Sequence, residues 1–360
     1  MKRLDLYILK KFIGTFFFAV SLLMVIIIVF DLSENIDAFL KHDAPWRRVV
    51  VEHYLTSIPY FTNQFIHLFV FISVIFFTSK MANHSEVVAV LSSGVSFWRF
   101  LYPYVIGAAL LTLMSLYFGN FMIPNMNEIR RKFKDEYIEH LTKSSGSNLH
   151  IQTDKDEFVY VTSYDLHRDV GYWFAIERYN GNELVYKMSS DVIIHDPQEE
   201  HTWHIGNVTE RYIDGDREYI ENSSRIDTVI DKLSASDFYN MKEDFEEMNF
   251  FELREHIRTM RQRGTEGIRR YEVEMHQRMA QPAAILILTL IGAALSSRKI
   301  KGGMGMHLGC GIAIAFSYVL IGQIAKAFGV NGVVSPSLAA WIPNFIYALL
   351  AVYCLAKAPK

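Results

Sequence analysis

Long apolar runs lie on both sides of a polar middle third, which extends roughly from Pro124 to Tyr271. Six of the runs are long enough to cross a bilayer core, because a helix of about 20 apolar residues spans its ~30 Å. The pattern therefore predicts a polytopic α-helical membrane protein with three helices on each side of an inserted domain. The predicted spans are, approximately, Phe12–Phe30, Pro59–Thr78, Tyr102–Met122, Met279–Leu295, Met306–Phe328 and Leu338–Leu355.

Within the polar third, short segments alternate between apolar and polar residues, which is typical of β-strands. Asn180-Gly181 and Asp214-Gly215 are hairpin-turn signals between such segments. This spacing predicts a β-sandwich, a jelly roll or an open barrel, while a sensor or binding domain of another shape remains the alternative. The predicted strands are Leu149–Gln152, Glu157–Thr162, Gly171–Glu177, Glu183–Met188, Thr202–Tyr212 and Glu218–Ile220.

A helical pattern follows the strands. Asn249 with Glu252 three residues later predicts a capping box, and Gly264 is expected to end this helix. A second helical pattern, from about Glu266, continues into the fourth span. We expect residues 1–123 to hold helices one to three, 124–235 a periplasmic β-jellyroll-like domain, 236–275 a helical connector and 276–360 helices four to six.

Charge then predicts the orientation. The N-terminal apolar run is too long for the core of a cleaved signal peptide, so we expect it to be retained. Lys and Arg concentrate at one side of the predicted spans, which by the positive-inside rule is the cytoplasmic side. Both termini are therefore expected in the cytoplasm of a bacterium, and the middle domain in the periplasm. The residues on the basic side are Lys2, Arg3, Lys10, Lys11, Lys80, Arg99, Arg298, Lys299, Lys301, Lys357 and Lys360.

The sequence contains no pattern that predicts catalysis. The glycine-rich run at Gly302–Gly305 lacks the lysine and hydroxyl residue of a nucleotide-binding P-loop. His201 and His204 have no intervening Glu in a metalloprotease spacing, and we expect surface side chains. Glu272, Glu274 and His276 are more typical of solvated side chains than of a metal site. We predict a non-catalytic protein with no cofactor, metal or nucleic-acid partner.

A short segment between spans two and three predicts an interaction. Ser85 or Asn83 can cap a helix whose Val87, Val88 and Leu91 form an apolar ridge, and Gly94 can end it. This helix, near residues 84–94, either docks into a cytosolic motor subunit or lies on the bilayer surface. Its candidate coupling residues are Glu86, Val87, Leu91 and Gly94.

Two further features concern the fifth span and the side of the membrane opposite the cytoplasm. Gly305 and Gly309 have the GxxxG spacing of a close helix contact, either with another subunit or within the chain. Lys326 either snorkels to the headgroups or faces a cavity for an anionic ligand. A ring of cations at this depth would suit a phosphorylated amphiphile. The candidate lipid-binding residues are Lys41, Arg47, Arg130, Arg278 and Lys326.

Four motifs in this order resemble the LptF/LptG permease family of the lipopolysaccharide export system, over nearly the whole length. They are SEVVAVLSSGVSFWRF from Ser85, MNFFELREHIRTMRQRG from Met248, YEVEMHQRMAQP from Tyr271 and SPSLAAWIPN from Ser335. The resemblance implies a permease subunit of an ABC transporter. Such a subunit pairs with a second permease, usually of the other type, and with a dimer of a separate cytoplasmic P-loop ATPase.

The resemblance also implies how the parts work. The β-jellyroll would stack on similar periplasmic domains and pass lipopolysaccharide onward, while spans one and five form the subunit contact. Glu86 would meet a basic residue of the ATPase. The family's basic first periplasmic segment here contains Asp31, Glu34 and Asp37, with only Lys41 of the expected sign. A partner subunit that supplies the cations, or a lipid with fewer phosphates, would account for this departure.

Two other functions compete with this one. A membrane-anchored periplasmic sensor or scaffold would bind an envelope ligand without transport and without a co-purifying ATPase. A membrane-embedded hydrolase would need polar residues that converge inside the spans, and Asn63, Gln64 and His67 are its candidates. These three residues of the second span should face protein or a cavity rather than lipid.

Overall fold

A computed structural model describes most of the chain, in two compact units. The described residues are 3–138, 147–154, 156–165, 168–181, 183–196, 201–215, 217–230, 233, 244–262, 267–298 and 303–358. The helical unit comprises the described residues up to Ile138, Phe245–Arg254 and those from Arg269 onward. The β-rich unit comprises the described residues between Glu139 and Asp244, with Glu255–Ile268.

Six helical segments are long and apolar enough to cross a membrane, and each contains one of the predicted spans. The prediction of a six-helix membrane protein with an inserted β-rich domain is confirmed. The helices are α1 Arg3–Lys41, α2 Trp46–Arg48, α3 Leu55–Asn83, α4 Glu86–Ser92, α5 Phe97–Tyr117, α6 Ile123–Tyr137, α7 Phe250–Gln262, α8 Ile268–Ser296, α9 Gly303–Val330 and α10 Pro336–Ala356.

The second and third spans are composite. A π-helical segment, Val49–Tyr54, joins α2 to α3, and another, Phe118–Met122, joins α5 to α6. These spans therefore run through Trp46–Asn83 and Phe97–Tyr137, well beyond the predicted apolar cores. The expected start of the β-rich domain at residue 124 falls inside the helical part of the third span. Hydropathy alone misplaces that boundary because α6 is amphipathic, with Phe133 buried among polar neighbours.

The spans differ in how much of them is packed inside the unit. In the most apolar 18-residue stretch of the second and fourth spans, 67% and 61% of the residues are buried. In α1 and α9 the corresponding share is 22% for each helix. Large apolar side chains are exposed along both of the latter helices, such as Phe18 on α1 and Phe316 on α9. In a single chain α1 and α9 therefore present apolar surface that only lipid or another protein can cover.

The β-rich unit contains six antiparallel strands paired strictly in chain order. They are β1 Ser147–Asp154, β2 Glu157–Asp165, β3 Val170–Asn180, β4 Glu183–His195, β5 Thr202–Asp214 and β6 Arg217–Val229. All six predicted strands lie within them. Gly181 and Gly215 have φ of 65° and 56°, a conformation that glycine adopts without strain.

This sheet curls tightly around its own core. The Tyr164 ring on β2 and the Trp203 ring on β5 have centroids 6.5 Å apart, although three strand spacings in a flat sheet would separate the strands by about 14 Å. Both side chains are fully buried. The sheet therefore covers its apolar face by bending, and the consecutive strand order makes it an open, curled meander.

The capping box predicted at the start of α7 is confirmed. Asn249 Oδ1 accepts hydrogen bonds from the backbone N–H groups of Phe251 and Glu252, at 2.9 and 3.1 Å. In return Glu252 Oε2 accepts the Asn249 N–H at 2.8 Å. The predicted end of this helix at Gly264 lies outside the described residues, but α8 does continue from Ile268 into the fourth span, as expected.

Candidate functional site

Polar side chains of four spans gather around two adjoining cavities in the helical unit. Their volumes are about 140 Å³ and 150 Å³. Gln64, Gln277, Gln281 and Lys326 line both cavities, which therefore form one polar pocket. Further lining residues are Tyr60, Asn63, Asn127, Glu246, Glu274 and Arg278 in the first cavity, and His67, Tyr318, Gln323 and Pro343 in the second.

One face of α8 supplies much of this lining. Glu274, Gln277, Arg278 and Gln281 are spaced by three, one and three residues, so they share a face over two helical turns. Because these polar residues precede the apolar part of the fourth span, they place hydrogen-bonding groups at one end of the bundle. Such residues are expensive beside lipid, and here they face the pocket.

Arg278 has a structural role in this pocket, because it binds backbone carbonyl groups of another segment of the chain. Its side chain is 7% exposed. Nη1 donates to the Met248 carbonyl at 2.7 Å, Nη2 donates to the Phe245 carbonyl, and Nε lies 3.3 Å from Glu274 Oε1. The guanidinium thus holds the Phe245–Met248 segment against α8. Because these donors already have partners within the chain, a structural role accounts for Arg278 better than lipid binding, which stays an untested prediction.

The cationic groups of Lys326 and Arg130 have fewer partners within the chain than the guanidinium of Arg278. Lys326 Nζ lies 3.8 Å from Glu274 Oε2, and its side chain is 39% exposed. The Arg130 guanidinium lies over the Tyr60 ring at 4.4 Å from its centroid. Lys326 and Tyr60 both line the first cavity. Two of the five predicted lipid-binding residues, Arg278 and Lys326, therefore line this pocket, and Arg130 contacts its lining residue Tyr60.

The other two predicted residues, Lys41 and Arg47, do not line the pocket. Both are exposed, at the end of α1 and in α2. The neighbouring Arg48 is instead engaged with Glu136, at 2.8 and 2.9 Å, and with Glu52 at 3.0 Å. Asp31 Oδ2 lies 2.8 Å from Nε2 of the buried His53, so part of the acidic segment of α1 serves packing rather than ligand binding.

The deeper polar residues of α3 lie against neighbouring helices or line the pocket. Asn63 Oδ1 accepts a hydrogen bond from Ser115 Oγ at 2.6 Å. His67 is buried against the Tyr318 ring and lines the second cavity. The prediction that these residues avoid lipid is confirmed. Asn63 and His67 lack the geometry of a nucleophile with its base, since neither contacts a hydroxyl nucleophile that is paired with a carboxylate in the described chain.

The short helix between spans two and three is present as α4. Gly94, with φ of 85°, ends it, and its N–H donates to the Leu91 carbonyl at 3.1 Å. The expected capping by Ser85 or Asn83 is wrong. Asn83 is the last residue of α3, and Ser85, at φ of 61°, forms no side-chain cap. The chain reverses sharply at Ser85, so α4 is fixed by this turn.

Of the apolar residues predicted to form a ridge on α4, one is buried in the core and another is exposed at the surface. Val87 is fully buried in the core formed with residues such as Met81 and Phe97, so its predicted contact with a partner is wrong. Val88 is instead 52% exposed. Glu86 Oε2 lies 3.5 Å from Tyr7 Oη of α1 and is half-buried. Val87 therefore anchors α4 while Val88 and Glu86 remain at the surface.

An ion pair supports the same end of the bundle. Arg99 Nη2, at the start of α5, donates to Oδ2 of the buried Asp5 of α1 at 2.6 Å. Ser96 caps α5 by accepting the Arg99 N–H at 3.3 Å. Helices α1, α4 and α5 are thus tied together around Glu86. Force on α4 would therefore reach α1 and α5 through direct contacts.

Gly305 and Gly309 lie on an open face of α9. A Cβ atom at either position would meet no other atom within 4 Å. At Gly311, by contrast, a Cβ would collide with Cδ1 of Ile75 on α3. Within the chain, Gly311 makes the close helix contact, and the Gly305–Gly309 pair faces outward from the described helices. This removes the internal alternative for the two predicted glycines.

Glu274 is the central residue of the pocket, and no sequence pattern had suggested that role for it. The same holds for Tyr60, Gln277 and Gln281. The spacing of polar residues on α8 is a signal that could have identified three of them. The contact of Tyr60 with Arg130 joins residues far apart in the sequence and has no local signal.

Comparisons with known proteins agree with this architecture. The sequence model of the family described as lipopolysaccharide export system permease LptF/LptG matches residues 6–357. The lipopolysaccharide export system permease protein LptG of Escherichia coli strain K12 is 18% identical over 309 residues, covering 84% of each chain. The protein of the same name from E. coli O6:H1 strain CFT073 gives the same values. The chain belongs to the lipopolysaccharide export permease family LptF/LptG and is a multi-pass inner-membrane protein.

Proposed function

We propose that this chain is a permease subunit that extracts lipopolysaccharide from the inner membrane and is driven by a separate cytoplasmic ATPase. The observation that carries the proposal is the match of the family over residues 6–357, which includes both sets of spans and the inserted domain. The unburied apolar faces of α1 and α9 support it, because they leave room for a second permease and for acyl chains.

The proposed orientation has both termini and α4 in the cytoplasm and the β-rich unit in the periplasm. It rests on the excess of Lys and Arg at one side of the spans. In this orientation the curled β-sheet, whose edge strands among the described residues are β1 and β6, can add to a similar β-jellyroll protein by strand pairing. Protease added to intact spheroplasts should cleave the β-rich unit, and protection of that unit would refute the orientation.

The mechanism that we propose begins at α4. The ATPase dimer closes on α4 and moves it, with Glu86 facing a basic residue of the motor. The contacts of Glu86 with Tyr7, and of Asp5 with Arg99, pass this movement to α1 and α5. Closure of the spans then squeezes the acyl chains of the lipid out of the space between two permeases and toward the β-rich units.

Lys326 is the cation of the pocket that we expect to capture the anionic headgroup. Lys326→Glu should weaken binding of lipopolysaccharide to the purified complex by about tenfold or more, because an attractive charge becomes a repulsive one beside Glu274. Fluorescently labelled lipopolysaccharide and the complex in nanodiscs would measure this. Lys326→Gln should have a smaller effect, and Lys132→Glu, an exposed position on α6, should have none. Unchanged binding by the Lys326→Glu complex would remove this residue from the site.

The Gly305–Gly309 face of α9 is the proposed contact with the second permease. Gly309→Leu should reduce the yield of the paired permeases several-fold on size-exclusion chromatography, since a bulky side chain prevents close helix approach. The single chain should still fold, because the position is open. Gly311→Leu is the matched contrast and should destabilise the chain itself by collision with Ile75. Normal pairing by Gly309→Leu would place the interface elsewhere.

A membrane-anchored sensor or scaffold is the competing function. Affinity purification through this chain from solubilised membranes separates the two. A transporter subunit should retain a P-loop ATPase and a second permease at fixed stoichiometry, identified by mass spectrometry of the retained proteins. A chain that is purified repeatedly without any ATPase under conditions that preserve membrane complexes would favour the sensor.

A further inference from the structure

A crease, meaning a line of missing regular pairs, crosses all six strands of the β-rich unit. The register of β2 and β3 pairs Val161 with Phe174 and Ser163 with Tyr172, which leaves Thr162 opposite Trp173 without a regular ladder pair. The same interruption continues across the next three strands. The residues without a regular pair there are Asp191 on β4, Asn207 on β5 and Ser224 on β6. On β2 to β5 the alternation of buried and exposed positions shifts by one residue there. On β3, for example, Gly171 and Phe174 are both buried although they are three residues apart.

Two residues on this crease have a backbone conformation that is uncommon for their type. Trp173 has φ of 54° and Asn207 has φ of 52°. Asn adopts this region fairly readily, but for a bulky residue it is costly, by roughly 1–3 kcal/mol. The Trp173 side chain is nevertheless 65% exposed, so burial of the ring does not compensate for the strain. Such outliers are concentrated at ligand sites.

An open cavity of about 360 Å³ lies beside the crease, on the face of the sheet opposite the core. Its volume falls within the ~300–1,000 Å³ that is usual for ligand sites. The exposed Trp173 forms one wall. The other lining residues include small and hydroxyl-bearing side chains, two further aromatic residues and three residues with charge or amide character. The principal lining residues are Trp173, Lys187, Ser189, Asp191, Asn207 and Thr209.

Hydrogen bonds hold these polar groups in place. Asn207 Nδ2 donates to Oδ2 of the exposed Asp191 carboxylate at 3.2 Å. Lys187 Nζ donates to Glu177 Oε1 at 2.8 Å, and this bond holds the pKa of Glu177 below its usual range. The lysine charge is therefore balanced within the sheet. The cavity presents one carboxylate, one carboxamide, hydroxyl groups and aromatic side chains, of which Trp173 is the most exposed.

We propose that this cavity is a binding site for the sugar rings of an oligosaccharide. A pyranose ring has an apolar face that can stack on an indole and a rim of hydroxyl groups that donate to a carboxylate and exchange hydrogen bonds with a carboxamide. A phosphate is disfavoured, since Asp191 repels anions and Lys187 is already paired. An added peptide strand is disfavoured too, because β3, β4 and β5 are paired on both sides.

The sugar could belong to either of two glycans: the saccharide of the transported lipopolysaccharide, or a glycan of the cell wall. Only the first source rests on the proposed transport function. The full-length chain in nanodiscs, free of sugar-headed detergents, would be titrated with two soluble probes. These are a β-1,4-linked N-acetylglucosamine tetrasaccharide and the deacylated saccharide of lipopolysaccharide. Saturable quenching of tryptophan fluorescence and ligand-observed NMR would report binding.

We expect at least one probe to bind and Trp173→Gly to weaken that binding by about tenfold or more. This variant removes the ring and also relieves the positive φ, so the melting temperature of the chain should not fall. Asp191→Ala should weaken binding less, and Tyr219→Ala, an exposed ring on β6 away from the cavity, should not change it.

Binding of the first probe alone identifies the cell wall as the source, and binding of the second alone identifies the cargo. Absence of saturable binding of both probes up to about 10 mM, a range beyond ordinary specific affinities, would overturn the proposal. So would equal binding by the Trp173→Gly chain. Because the assay contains neither ATP nor a second permease, failure of the transport mechanism would leave its outcome interpretable.

Discussion

Glu86→Lys should abolish most ATP-driven export while the chain still inserts and folds. In the proposed mechanism Glu86 faces a basic residue of the motor, and two like charges across such a contact cost several kcal/mol. We therefore expect at least about a tenfold loss of transport. The fold should survive, because Glu86 is half-buried at the surface and its contact with Tyr7 is long, at 3.5 Å.

Three variants separate coupling from stability. Glu86→Gln removes the charge without reversing it and should have an intermediate effect. Tyr7→Phe removes the hydrogen-bond donor to Glu86 and should reduce transport only in part, because the buried Val87 still packs α4 against the core. Glu255→Lys reverses an exposed carboxylate on α7 and serves as the matched control. ATP-dependent export by the Glu86→Lys complex at the wild-type rate would disprove the assignment of α4 as the coupling helix.

Arg278→Met should destabilise the chain more than any other substitution proposed for it. The change leaves the Phe245 and Met248 carbonyls and the Glu274 carboxylate without their buried partner. Removing one member of a buried ion pair costs about 3–5 kcal/mol. We expect the apparent melting temperature in detergent to fall by roughly 10 °C, measured by intrinsic fluorescence or by thermal aggregation.

The matched variants test whether geometry or charge matters at this position. Arg278→Lys should not restore stability, since an ammonium group lacks the planar fork that reaches three acceptors. Arg47→Met, at an exposed position, should change stability by less than about 0.5 kcal/mol. An Arg278→Met chain as stable as wild type would mean that the Phe245–Met248 segment is held by other contacts, and lipid binding would again be open for Arg278.

The sequence predicted the elements better than it predicted their contacts. Periodicity identified six spans, six strands and the capping box at Asn249, because these depend on local patterns. It placed Val87 outside, although a valine on a seven-residue helix can face either way. It also treated Arg278 as a ligand-binding cation. The carbonyls that Arg278 binds lie about thirty residues earlier in the chain, in a segment with no hydrophobic period.

Similarly, the crease through Trp173 was not predicted. The strand was recognised from its β-branched and aromatic residues, but the pattern of buried positions changes parity at the crease, and a regular alternation cannot represent that change. The outward face of Gly305 and Gly309 was one of two equal alternatives, and the open space around both positions favours it.

The most direct test of the proposed transport function is ATP-dependent extraction of lipopolysaccharide by the complex purified through this chain. Proteoliposomes that contain the complex and labelled lipopolysaccharide would be incubated with a soluble acceptor domain. We expect release that requires ATP hydrolysis and stops with a non-hydrolysable analogue. Release at the same rate without ATP, or none with an active co-purified ATPase, would contradict a role in driven export.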